Sequence, residues 1–251
     1  MTAVTVAFGT LIVILVGICF GAFLRVNLPK PYLSSKTSDT VKLAAGVIAT
    51  LAALTLGLLI ASAKTSYDTS TAQIHQIAAA SILSDRLLML YGGDAAHTAR
   101  LKLREVIPQF TDHIWAESAP KAQKGPFEAV AESDDYVNAI YALNPQTDIQ
   151  KAVRERIVAA TIRIANARLA LFTQMNTLPP PPLLVVLAFW FAVLFAAYSM
   201  HAEINMVTVM ALVMCAASVA GAMFLLFQMN NPFSGIMAIP RINLLAMLPP
   251  L

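Results

Sequence analysis

The sequence predicts an all-α integral membrane protein with four membrane helices and a helical aqueous domain between the second and third. Three observations carry that prediction. Of the 251 residues 58% are hydrophobic and only 12% charged, where soluble domains run nearer ~45–50% and ~25%. Four apolar runs are long enough to approach or exceed the ~30 Å hydrocarbon core at ~1.5 Å of helix rise per residue. The charges gather between the second and third runs: residues 64–178 hold 12 of the 17 Lys/Arg and 12 of the 14 Asp/Glu. The chain therefore divides into 1–63 (helices 1 and 2), 64–178 (aqueous domain) and 179–251 (helices 3 and 4 with a C-terminal tail).

Residues 3–24 form the first run. No basic residue precedes it and it is longer than the apolar region of a typical signal peptide, so it reads as a membrane helix. Gly17 and Gly21 make a GxxxG step, which permits close approach of a neighbouring helix; chance spacing in a glycine-tolerant helix is the bland alternative. A connection with Arg25, Lys30, Lys36 and Lys42 follows, broken by Pro29 and Pro31. The second run, Leu43–Ala63, carries no charge, and Ser38, Asp39 and Thr40 offer capping oxygens before it. Nothing stops that helix at its far end, and the pattern continues through Ile74, Ile77, Leu83, Leu87, Leu88 and Tyr91 to Gly92-Gly93.

Within 64–178 a second helix covers 94–117 with a break or kink at Pro108, and 118–126 is a loop. A third helix covers about 127–142 and ends before Asn144-Pro145. A fourth covers about 147–177, with apolar Val153, Ile157, Ala160, Ile164, Ala167 and Leu171. No alternating strand pattern appears. Pro179–Pro182 break the chain, and the runs 183–200 and 204–227 form a tight hairpin with His201 and Glu203 at its tip. Both termini then lie on one side of the membrane. Four basic residues flank each face, so the positive-inside rule leaves the side open.

The composition argues against several functions. The net charge of +3 is small and sits beside membrane segments, so no nucleic-acid partner is expected. Phosphate loops, HExxH, nucleophile elbows and metal-spaced Cys/His sets are absent, so no enzyme, cofactor or metal site is expected. Cys19 and Cys215 lie inside apolar runs and read as small core residues. His75, His97, His113 and His201 are scattered; His113 beside Asp112, like Asp134-Asp135, reads as solvated helix surface.

The stretch LAALTLGLLIASAKTSYD, then Asp85-Arg86-Leu87-Leu88 with Tyr91-Gly92, and Asn231-Pro232-Phe233-Ser234-Gly235, taken in that order from about Gly21 onward, resemble the bacterial bestrophin-like domain family. That family is distantly similar to bestrophins, pentameric anion channels with four membrane helices per subunit and a helical cytosolic region between the second and third. The resemblance implies a homo-oligomer (a pentamer on the bestrophin pattern) in a bacterial inner membrane, with inorganic anions and the lipid bilayer as partners. Several departures stand out, among them the second helix, whose face Thr50, Leu54, Gly57, Leu58 and Ala61 is smaller than the neck of bulky apolar side chains in bestrophin pores. No carboxylates follow Asn231-Pro232-Phe233, where bestrophins bind calcium, so a calcium site is not carried over. Acids expected near Gln228 and Asn230, and Pro-Arg near Glu203, are also missing.

Three groups of residues become candidates. Thr50, Leu54, Gly57, Leu58, Ala61 and Lys64 share one stripe of the second helix and could line a pore; the alternative is that its small residues pack helices inside the subunit. Arg154, Arg156, Arg163 and Arg168 could collect anions at a vestibule or contact headgroups. Asn231, Pro232, Phe233, Ser234 and Gly235 read as structural: Asn-Pro ends the fourth span, Phe233 sits at the interface and Gly235 permits a reversal. The leading function is a bestrophin-like channel with the second helix around the pore. A non-conducting membrane-anchored scaffold or sensor competes with it.

Overall fold

The computed structural model describes residues 3–29, 35–116, 134–175, 181–203 and 205–251. Among them are eight helices and no strand: α1 Ala3–Asn27, α2 Ser35–Tyr91, α3 Gly93–Ala116, α4 Asp134–Tyr141, α5 Asp148–Met175, α6 Pro181–His201, α7 Met206–Asn230 and the short α8 Leu244–Met247. Four of these, α1, α2, α6 and α7, are long and apolar enough to cross a membrane. The chain forms two compact units, Met1–Thr65 with Leu178–Asn230, and Ser66–Thr177 with Asn231–Leu251. At 57 residues, α2 is far longer than a membrane crossing needs, and it contributes to both.

In the first unit α1 and α6 run parallel at very short range. A Cβ built on Gly17 would stand 2.5 Å from the Ala192 carbonyl oxygen, and one on Gly21 closer still to that of Ala196. One turn along, the buried Ser199 hydroxyl donates to Ile18 O at 2.9 Å. The GxxxG step thus lets two backbones touch, as its spacing predicts. Ile14, Leu187, Phe191, Met223 and Leu226 centre the core, and α2 adds its Ala45–Ala52–Ala63 face. Cys19 and Cys215 are exposed rather than buried. Their helices are apolar all round, so sequence periodicity could not choose the inward face.

The second unit packs α3, α4, α5 and the tail against the later half of α2. A left-handed turn at Gly92 (φ 73°) and Gly93 (φ 82°) reverses the chain from α2 into α3, a conformation that glycine adopts without a Cβ penalty. One core cluster includes Leu88, Leu103, Ile140 and Ile157; another includes Ile77, Phe110, Leu171 and Phe233. Pro108 lies inside α3 without ending it, and the Thr111 hydroxyl donates to its carbonyl at 2.9 Å. Leu83, which helical spacing assigns to the core, is 45% exposed, because the buried stripe of α2 runs through Ser81, Ser84, Asp85 and Leu88 instead.

Three further sequence expectations change or fall elsewhere. Residues 231–251, grouped by sequence with the last two membrane helices, pack with residues 66–177 instead. Helix α4 is described from Asp134, so the expected helix over 127–133 and the loop 118–126 lie outside the described residues. The side chain of His113 does too.

Candidate functional site

All six stripe residues of α2, Thr50, Leu54, Gly57, Leu58, Ala61 and Lys64, are exposed on the surface of the chain. Leu54 is 60% exposed and Leu58 69%. A Cβ added to Gly57 meets nothing within 4 Å. The opposite face, with Ala45, Ala52 and Ala63, is the one spent on the core. Small residues on this stripe therefore do not serve packing within the described chain. The Thr50 hydroxyl donates to Gly46 O at 3.0 Å, leaving its oxygen lone pairs outward.

The four arginines of α5 do not form one cluster. At 100° per residue Arg154 and Arg168 share one face, and Arg156 and Arg163 share the opposite one. Arg154 and Arg168 are half-buried: the first donates to Tyr141 O at 3.4 Å, and the second lies over the Phe110 ring with its guanidinium carbon 4.5 Å from the centroid. Arg156 and Arg163 are exposed.

Asn231–Gly235 forms a tight turn built into the core of the second unit. Ser234 N donates to Asn231 O at 3.2 Å and Ile239 N to Pro232 O at 2.7 Å. Gly235 has φ 90°, the reversal its residue type predicts. Phe233, placed by sequence at the membrane interface, is buried instead, edge-on to Trp115 with centroids 5.5 Å apart. The physical reason lies in the tail: Trp115 Nε1 donates to Ile239 O at 3.1 Å and the Tyr67 hydroxyl to Met237 O at 3.0 Å, which draws 231–239 onto α2 and α3.

One arrangement was not singled out by sequence reasoning. Asp85 is fully buried and holds Arg100 through two bonds, Nε to Oδ1 and Nη2 to Oδ2, each 3.0 Å; Arg104 Nη2 stands 3.4 Å from Oδ2. The same guanidiniums donate to tail carbonyls, Arg100 to Pro250 O at 3.1 Å and Arg104 to Pro249 O. On the residue preceding Asp85, Ser84 Oγ and the buried Tyr136 hydroxyl are 2.6 Å apart. Burial pushes the Tyr136 phenol above its usual range, partly offset by hydrogen bonds with Ser84 and Thr161. A cavity of about 50 Å³ beside it is mostly apolar, with Ser81, Thr161 and Arg168 on its wall. The signal for the ion pair was present in the sequence: Asp85 lies seven residues before Gly92 and Arg100 seven after Gly93, opposite each other in a helical hairpin.

A profile of the bestrophin-like domain matches residues 10–244. The chain belongs to the bestrophin-like domain family. No curated protein and no solved structure matches it. In this bestrophin-like chain two of the stretches that carry the resemblance now have physical roles: Asp85 anchors a buried ion-pair cluster, and Asn231–Gly235 is the turn that seats the tail. After that turn the chain continues Ser234-Gly235-Ile236-Met237 with no carboxylate. Among the described residues no three His, Cys, Asp or Glu side chains gather as a metal-binding group.

Proposed function

We propose that this bestrophin-like membrane protein is one subunit of a homo-oligomeric ion channel, conducting anions, with α2 of each subunit facing a central pore. The observation that carries the reading is the exposure of the whole Thr50–Lys64 stripe while the opposite face of α2 makes the core. A face left free by the subunit's own packing is available to water, ions or a second copy. Anion preference is supported by charge. Between Asp39 and Asp68 the chain holds no carboxylate, and Lys64 closes the stripe. Exposed Arg156 and Arg163 add positive potential on α5. On this reading 64–178 is a water-facing domain, the oligomer is a pentamer as in bestrophins, and the protein resides in a bacterial inner membrane without enzymatic activity.

The second reading is a non-conducting scaffold. Leu54 and Leu58, both exposed, favour it, since a leucine seam can bury a partner helix completely. The deciding test is anion flux into liposomes containing the purified protein, with Gly57→Leu and Lys64→Glu. Gly57 is a clean probe, because its added side chain meets no atom of the subunit within 4 Å at Cβ. Flux altered by both substitutions supports the pore on α2. Flux altered by neither keeps a channel and moves its pore. Folded, inserted protein that passes no anion at any pH or calcium level leaves the scaffold.

A further inference from the structure

The Asp85 cluster holds more positive charge than negative. Two guanidiniums share one carboxylate, and the tail completes their shell only with the neutral carbonyls of Pro249 and Pro250. Arg100 is 6% exposed, and Nε of Arg104 is buried without a hydrogen-bond partner. An uncompensated charge in a low-dielectric setting is unfavourable. A guanidinium attracts an oxyanion by opposite charge as well as by hydrogen bonding, and a neutral carbonyl offers only the second, so the two carbonyls are the weaker kind of occupant. The strap that carries them is lightly held. Leu248 is its last buried side chain, and Pro250 and Leu251 are exposed. Neither proline has a backbone N–H with which to secure it.

We propose that Arg100 and Arg104 form a binding site for a phosphate-class oxyanion, and that the Pro249-Pro250 strap is its displaceable built-in occupant. Asp85 fixes both guanidiniums from one side, so the donors are preorganised. A tetrahedral oxyanion supplies two acceptor oxygens in place of the two carbonyls and brings the negative charge the cluster lacks. The Nε–Nη2 edge of Arg100 is held by Asp85, so an incoming anion accepts from the Nη2 protons of Arg100 and Arg104 that now reach Pro250 O and Pro249 O. The site lies within the second unit and is independent of whether α2 conducts.

The test is calorimetric titration of inorganic phosphate into the full chain in phospholipid-free detergent, into a chain truncated after Leu248, and into Arg104→Gln. Binding in the truncated chain should tighten roughly tenfold, the equivalent of two modest hydrogen bonds no longer competing. Arg104→Gln, at a residue that Asp85 can release without losing Arg100, should abolish it. Hydrogen exchange of the Leu248 amide, which donates to Leu245 O at the base of the strap, should quicken in the full chain when phosphate is added. A parallel arm places the protein in nanodiscs with and without phosphatidic acid. Binding in the detergent arm assigns a soluble ligand, and displacement of the strap only with phosphatidic acid assigns a lipid headgroup; either supports the site. Equal affinity in full and truncated chains, binding that survives Arg104→Gln, or no response in either arm overturns it.

Discussion

Asp85 and Arg100 stand at mirror positions about the Gly92-Gly93 turn and meet there as a two-pronged ion pair, both bonds 3.0 Å. Asp85 is fully buried, so its charge is tolerated only because the guanidiniums solvate it. Removing one partner leaves a buried charge unpaired, typically a loss of ~3–5 kcal/mol. Asp85→Asn should therefore destabilise the second unit by about that much, measured by thermal or urea unfolding in detergent. Asp85→Asn with Arg100→Met should lose less than the sum of the two single changes. Additive losses would mean that the two side chains do not interact in the folded protein.

Glycine positions in the first unit separate packing inside the chain from the exposed stripe of α2. Gly21→Val drives a side chain into the Ala196 backbone of α6, and overpacking of this kind costs ~1–3 kcal/mol. Gly57→Ala should not destabilise, since nothing lies within 4 Å of the new atom, and should gain ~0.4–1 kcal/mol from the better helix former. Comparing the melting of the two variants in one detergent checks the contrast. Similar losses from both would refute it.

Tyr136 predicts an alkaline weakness of the second unit. Its phenol is raised mainly by burial, so the folded state favours the protonated form. A raised folded-state value gives stability that is fully present below the unfolded-state value near ~10 and is lost as pH rises beyond it. Unfolding midpoints should fall above about pH 10, and phenolate absorbance should rise together with unfolding. Tyr136→Phe should flatten that alkaline loss while costing ~0.5–1.5 kcal/mol at neutral pH, because Ser84 loses its partner. An unchanged alkaline profile in the variant would assign the effect to another group.

The tail turn depends on a backbone conformation as well as on its aromatic contact. Gly235→Ala places a Cβ at φ 90° and should cost ~1–2 kcal/mol. Trp115→Phe should cost ~0.5–1.5 kcal/mol by removing the bond to Ile239 O. Both should loosen 231–251, seen as faster hydrogen exchange at the Ile239 amide, whose bond to Pro232 O closes the turn. Slow exchange in both variants would show the tail to be held elsewhere.

The sequence by itself determined the helical class, the four apolar helices, the unbroken passage of α2 beyond Ala63 and the close approach at Gly17 and Gly21. Each follows from a local rule: helix length, the lack of any breaker, or the size of a side chain. Gly92-Gly93 and Gly235 were legible for the same reason, since their residue type reports the turn. The motif order identified the bestrophin-like family, although Asp85 carried no role until its partners were seen. Only the tertiary structure decided which face of an apolar helix turns inward, because a helix that is hydrophobic all round has no periodic signal; Cys19 and Cys215 fell on the wrong side of that choice. It also decided that α2 spends its Ala45–Ala52–Ala63 face on the core and leaves Thr50–Lys64 outside. The tail was hidden for a different reason. Its attachment to residues 66–177 rests on hydrogen bonds from Tyr67, Arg100, Arg104 and Trp115 to backbone carbonyls, and a carbonyl is the same at every position, so the sequence does not say which ones are used.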